Sequence, residues 1–199
     1  GLQALRAIQA KCPEARTLSA VTGSGHNGGD ALIVARLAHQ MGFDVRVYPV
    51  APLESLTGDA LIAYQRFQEA GGETLAFIPE DFEATEILVD GLFGTGLKRA
   101  IESPYREVIE AINRYRARGD KQTVRERLVV ALDLPSGIAA DTGEVLGIAV
   151  EADLTITFIG LKQGLFTGAA PSFTGEVLFD DLQVDPLIRH QTPSNARLL

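Results

Sequence analysis

Apolar residues recur along the chain with two periods, and helical and extended stretches alternate. Leu2, Leu5, Ile8 and Cys12 follow helical spacing, and Pro13 stops that helix. Leu18, Ala20 and Val21 form a short strand of the buried type. Ala31, Leu32, Val34, Ala35, Leu37 and Ala38 predict a helix from about Gly29 to Met41, ended by Gly42. Val45, Val47 and Val50 mark a second strand, beginning at Asp44. Thr57 stands where it can cap a helix to about Ala70. Leu61, Ile62, Tyr64 and Phe67 make its apolar side, and Gly71-Gly72 ends it. Glu73 to Ile78 reads as a short strand or edge segment.

Glu86 to Val89 is strongly apolar after its first residue and ends in Asp90; Leu128 to Leu132 ends in Asp133. Between them, Ser103-Pro104 opens a helix with proline at the favoured first position. Val108, Ile109, Ile112 and Tyr115 form its buried stripe, and Gly119 to Glu126 is a charged loop. Leu154 to Phe158 and Val177 to Phe179 are the last strands. Nearly continuous apolar strands alternating with helices predict an α/β protein with a mostly parallel sheet, covered on both faces. In such sheets ligands bind outside the carboxyl ends of strands. Three strands here run into polar or glycine-rich loops: Gly23–Asp30, Asp90–Arg99 and Asp133–Gly137.

The first loop carries Gly23, Gly25 and Gly28 in G-x-G-x-x-G spacing. Strand, glycine loop and helix present backbone N–H groups to an anion. A tight turn that binds nothing also uses such glycines, but His26, Asn27 and Asp30 add polar side chains that a plain turn does not need. The acidic residue that a dinucleotide-binding fold places about 20 residues on has no convincing match, since the second strand ends Tyr48-Pro49-Val50. Asp90 and Asp133 each follow a buried strand, where a carboxylate needs hydrogen bonds or a cation to offset lost solvation. Each alone reads equally as a loop cap; together, beside glycine loops, they suggest one shared site. Asn27, Asp90 and Ser136 offer hard oxygen ligands of the kind that hold a group one or group two metal ion. Ser136 lacks the G-x-S-x-G elbow of a hydrolase nucleophile. Lys98 and Lys162 are candidates for phosphate contact, Lys162 the better placed because it follows a buried strand.

Composition narrows the classes. The 199 residues fit one domain with one substantial core. A net charge of −8 argues against nonspecific binding to nucleic acid or anionic membranes. One cysteine, Cys12, rules out an internal disulfide framework and reads as a buried or half-buried thiol. His26, His39 and His190 are scattered, with no zinc spacing. No run approaches a membrane span and no signal peptide precedes the first helix, so a cytoplasmic protein is expected. Gly1 and the polar run His190–Asn195 suggest a domain cut from a longer chain.

Four blocks occur in order: Asn27-Gly28-Gly29-Asp30; Val89-Asp90-Gly91-Leu92-Phe93-Gly94-Thr95-Gly96; Asp133-Leu134-Pro135-Ser136-Gly137; and Ala152 to Phe158 leading to Lys162-x-Gly164. Over about Leu2 to Asp185 the sequence resembles the NAD(P)H-hydrate epimerase family, the YjeF N-terminal domain. The resemblance implies a Rossmann-like three-layer αβα sandwich over residues 1–185, commonly a homodimer, with 186–199 as a linker or tail. In bifunctional bacterial relatives that junction leads to an ADP- or ATP-dependent dehydratase domain. It implies interconversion of the R and S epimers of NADHX and NADPHX, the nicotinamide cofactors hydrated at C6, and a bound potassium ion. Asn27, Asp90 and Ser136 match the potassium ligands. His26, Asn27, Gly28, Gly29 and Asp30, with Gly94, Thr95, Gly96, Leu97, Lys98, Arg99 and Ala100, resemble the substrate-binding loops, and Asp133 matches the substrate-contacting carboxylate. Many members have Asn where His26 stands; His can still donate a hydrogen bond.

The chemistry suits these residues. At C6 a hydroxyl must leave and water return on the other face, with the ring nitrogen stabilising the cation between. The main requirement is a carboxylate that gives and takes a proton. Asp133 is the expected acid/base, with Lys162 or a bound water assisting. Two rivals remain: a catalytically silent binding or scaffold protein on the same fold, and a Rossmann NAD(P)-dependent oxidoreductase.

Overall fold

The computed structural model describes residues 1–78, 81–118 and 127–183. The charged loop 119–126 and the tail 186–199 lie outside the described residues, as does His190. The chain runs α1 (Leu2–Lys11), β1 (Thr17–Thr22), α2 (His26–Gln40), β2 (Asp44–Pro49), α3 (Gly58–Glu69), β3 (Ile87–Gly91), α4 (Tyr105–Arg118), β4 (Leu128–Leu132), β5 (Leu154–Phe158) and β6 (Glu176–Asp180). Among the described residues the six strands form one sheet in the order β2-β1-β3-β4-β5-β6, and each pair of neighbouring strands is parallel.

Strand alternation sorts side chains into two cores. Leu18, Ala20, Ile87, Val89, Val130, Leu132, Leu154 and Ile156 join Leu5 and Ile8 of α1, Leu32 and Ala35 of α2, and Phe67 of α3. Val21, Leu88, Val129 and Ala131 point the other way, onto Val108, Ile109, Ile112 and Tyr115 of α4. The period of two along each strand and the helical period of the covering elements therefore produce three layers.

The sequence expectations need local adjustment. Ile62 is exposed, and α3 packs through Ala60, Ala63 and Phe67 instead. Thr57 sits at the N-cap of α3 without a capping hydrogen bond from its side chain. Residues 73–78 contribute one isolated bridge, Val47 to Thr74. Helix α4 begins at Tyr105, one residue after Pro104. Cys12 is buried.

The order of strands fixes where a ligand can enter. From β1 the chain crosses to β2 on one side, and later strands extend on the other. The switch point between β1 and β3 opens a crevice at their carboxyl ends. This order follows the doubly wound 2-1-3-4-5 pattern, not the 3-2-1-4-5-6 pattern of dinucleotide-binding dehydrogenases. The three candidate loops leave β1, β3 and β4, which are neighbours.

Candidate active site

Asp90 is completely buried near the end of β3. Its Oδ1 accepts hydrogen bonds from the Leu92 N–H at 3.1 Å and the Ser136 hydroxyl at 2.6 Å. Its Oδ2 accepts from the Ser136 N–H at 2.8 Å. Burial pushes the Asp90 carboxyl up to about 6, against the pull of the donors from Ser136 and Leu92. Ser136 Oγ in turn accepts from the Phe93 N–H at 2.9 Å. Asn27 Nδ2 donates to the Phe93 carbonyl at 2.8 Å. Asn27 and Ser136 thus converge on the backbone of one residue, Phe93, while Asp90 holds Ser136 and the adjacent Leu92 N–H. The Phe93 ring rests on Tyr105, with centroids 4.7 Å apart.

Among the described residues, one buried side-chain oxygen or nitrogen finds no hydrogen-bond partner, and it belongs to this knot. Asn27 Oδ1 is buried and has no hydrogen-bond partner. A buried carbonyl oxygen left bare costs about 1–3 kcal/mol, so this orphan points to a ligand that accepts electron density from oxygen. Carboxylate, hydroxyl and amide oxygens together are the donor set of a hard cation. Among the described residues no three His, Cys, Asp or Glu side chains gather as a metal site; the knot is a different type, built from oxygens of three chemistries.

Asp133 stands beside the knot. It follows β4 with φ +67°, and its N–H bonds to the Ile156 carbonyl of β5 at 2.8 Å. Its carboxylate forms an ion pair with Lys162. Lys162 Nζ also donates to Thr157 Oγ1 at 3.1 Å and to the Phe158 carbonyl at 2.8 Å. Gly94 separates the two clusters: a Cβ there would lie 3.3 Å from Asp133 Oδ2 and 3.6 Å from Asn27 Cβ.

Helix α2 begins at His26, not at Gly29. The expected loop His26–Asp30 is therefore the first turn of a helix, with Gly25 at its N-cap. Three-dimensional packing explains the early start. A Cβ on Gly28 would sit 2.1 Å from the Gly23 carbonyl oxygen, so the helix can press onto the end of β1 only without a side chain there. Gly29 N–H makes the first helical bond, to Gly25 at 3.1 Å, and helix geometry leaves the preceding N–H groups without intrahelical partners. His26 is exposed, Asp30 half-buried, and Asn27, Gly28 and Gly29 buried. Burial is the main cause that raises the Asp30 carboxyl above its ordinary range. In the second loop Thr95, Gly96, Lys98, Arg99 and Ala100 are exposed, and Leu97 is half-buried with its N–H on the Gly94 carbonyl at 3.2 Å.

The structure therefore draws Asn27, Asp90, Gly94, Asp133, Ser136 and Lys162 together at one rim. Two participants escaped the sequence reading. Phe93 acts through its backbone, which no residue type announces. Thr157 looks like any β-branched strand residue; its only signal is a buried hydroxyl alternating with Leu154, Ile156 and Phe158.

The sequence and the fold are similar to those of known proteins. Residues 1–164 match the family described as YjeF-related protein N-terminus. A Coxiella burnetii protein named bifunctional NAD(P)H-hydrate repair enzyme Nnr is 38% identical over all of this chain, which spans 39% of that protein's length. An Achromobacter xylosoxidans protein named NAD(P)H-hydrate epimerase is 38% identical over 83% of the chain and 74% of its own length. Among solved structures, the yeast protein ynu0 shares the fold at a TM-score of 0.67 and 18% identity, over 81% of this chain and 68% of that one. With its ordered blocks on one rim of a parallel sheet and the family match running through most of its length, this chain belongs to the YjeF-related N-terminal family.

Proposed function

We propose that this domain interconverts the R and S epimers of NADHX and NADPHX, as an isomerase of metabolite repair. The observation that carries the reading is the Asp133–Lys162 ion pair beside the buried Asn27–Asp90–Ser136 knot, at the switch point of the sheet. Relatives named for NAD(P)H-hydrate epimerase and repair support it.

Asp133 is the acid/base. Its protonated carboxyl gives a proton to the C6 hydroxyl, and that oxygen leaves as water. The lone pair of the ring nitrogen carries the resulting cation. Water adding to the other face returns its proton to the carboxylate through a bound water, so nothing is consumed. Lys162 holds the carboxylate in place by its ion pair. The first turn of α2, His26 to Asp30, and the loop Gly94 to Ala100 flank the crevice and hold the substrate. The N–H groups at the start of α2, which have no intrahelical partner, and the cations of Lys98 and Arg99 suit a pyrophosphate.

Asn27, Asp90 and Ser136 would hold potassium, and the orphaned Asn27 Oδ1 fits that role. When bound, the ion would supply a fixed positive charge that offsets the buried Asp90 and steadies the Phe93–Gly94 turn. The proposal includes a homodimer in the cytoplasm, and a longer natural protein in which a dehydratase domain follows residue 185. Relatives of the bifunctional kind support the last point. No helix among the described residues is long and apolar enough to cross a membrane.

The test is incubation with purified R-NADHX, following the S form by chromatography with and without potassium. Appearance of the S form without net loss of hydrate supports the reading. An unchanged R form rejects it and favours a silent binding domain. Tight binding of NAD(H) with hydride transfer would favour an oxidoreductase.

A further inference from the structure

We infer that Thr157 is a positioning residue that makes the two oxygens of Asp133 unequal, tying Oδ1 down and leaving Oδ2 as the oxygen that exchanges the proton. The inference rests on the acid/base reading of Asp133 given above.

Thr157 has no solvent exposure and lies on β5, next to β4 and Asp133. Its hydroxyl accepts a hydrogen bond from Lys162 Nζ at 3.1 Å. Its own proton is then free to point to Asp133 Oδ1, 3.4 Å away. The Lys162 ammonium pairs with the same oxygen. The ammonium has three N–H donors, and Asp133 Oδ1, Thr157 Oγ1 and the Phe158 carbonyl use all three. The cation therefore has one orientation, set by two groups of β5 and by the residue that follows β4. Both contacts to the carboxylate fall on Oδ1. The other oxygen, Oδ2, lies on the Gly94 side, where a Cβ would come within 3.3 Å of it and glycine leaves that space free. A proton-transferring carboxylate with one anchored oxygen presents the other at a fixed place and angle, and small misplacements of reacting groups are costly to rate.

A bland alternative is that Thr157 is packing, like its strand neighbour Thr155, whose hydroxyl donates to the Thr174 carbonyl at 2.7 Å. The two roles separate in experiment. Thr157→Val keeps shape and removes the hydroxyl; Thr157→Ser keeps the hydroxyl and removes a methyl. Positioning predicts that Val lowers kcat about tenfold or more with KM changed less than about twofold, and that Ser recovers most of the lost kcat. Melting temperatures of both variants are measured alongside. A packing role predicts loss in both variants in proportion to their melting temperatures, and that result overturns the inference. So does an unchanged kcat in Val. Independently of turnover, NMR of protein labelled with 15N-lysine reads proton exchange at Lys162 Nζ. Slow exchange in the parent and Ser, with fast exchange in Val, supports the anchored ammonium; equal exchange in all three overturns it. A parent protein that shows this NMR pattern but does not epimerise NADHX removes the proposed function and leaves the anchoring standing.

Discussion

Ser136 and Asp90 lie 46 residues apart in the chain and are joined by two hydrogen bonds, one from the backbone N–H at 2.8 Å and one from the hydroxyl at 2.6 Å. This contact ties the loop after β4 to the end of β3. It also sets Ser136 Oγ under the Phe93 N–H, so the turn leading to Gly94 inherits its position from Asp90.

Ser136→Ala should therefore destabilise the domain beyond the loss of one surface hydroxyl. It removes one donor from a buried carboxylate and the acceptor of the Phe93 N–H. The expected cost is about 1–3 kcal/mol, read from urea unfolding. A change below a few tenths would mean that the knot does not hold the loops.

Asp133→Asn should abolish epimerisation, with kcat down at least about a hundredfold, and spare the fold. Asn tolerates the positive φ found at Asp133. Asp133→Ala, which lacks that tolerance, should melt at lower temperature than the Asn variant. The checks are chromatography of the epimers and thermal denaturation. A folded, active Asn variant would reject the acid/base assignment.

Potassium should raise the melting temperature relative to lithium or choline chloride at equal ionic strength, since a ligand of the native state alone stabilises it. Asn27→Ala should erase that difference, because it removes the orphaned oxygen. An equal potassium effect in the variant would place the ion elsewhere.

Gly28→Ala should be costly although alanine favours helices. Its Cβ would fall 2.1 Å from the Gly23 carbonyl oxygen, a backbone atom that cannot rotate away. Overpacking of this kind costs about 1–3 kcal/mol, and urea unfolding with substrate binding would show both the loss and the displaced first turn of α2.

Asp30 links stability to pH in an unusual direction. Burial, with the nearby Asp133 charge acting in the same sense, raises its carboxyl above the ordinary value in the folded state. A raised folded value gives a contribution that is present below the unfolded pKa, about 3.9, and lost as pH rises through the folded value. At neutral pH the ionised group therefore costs stability. Asp30→Asn should melt higher than the parent at pH 7, and the gain should vanish in acid. Because Asp30 is proposed to hold substrate, the same variant should bind NADHX less well. A lower melting temperature at pH 7 would contradict the electrostatic argument.

The layers of this protein were legible without coordinates because period is local. Leu18, Ala20 and Val21, or Val129 to Leu132, reveal buried strands from neighbours one and two residues away. Asp90 and Asp133 also stood out, since a carboxylate closing an apolar run is anomalous wherever the run packs. Membership of an ordered block is a weaker signal, as Asp153 shows. It belongs to one of the ordered blocks, yet it accepts from Arg116 Nε at 2.8 Å and the Val129 N–H at 2.9 Å, serving α4 and β4 rather than the site.

Sequence alone determined the α/β alternation, the carboxylates and the glycine-rich turns, because propensity, burial and backbone freedom act over a few residues. Only the tertiary structure decided that β1, β3 and β4 are neighbours, that His26–Asp30 is a helical turn, that Phe93 is the shared backbone anchor, and that Thr157 reaches Asp133. Those facts depend on strand order and on contacts between residues distant in the chain, and no local pattern encodes which distant partner satisfies a buried polar group.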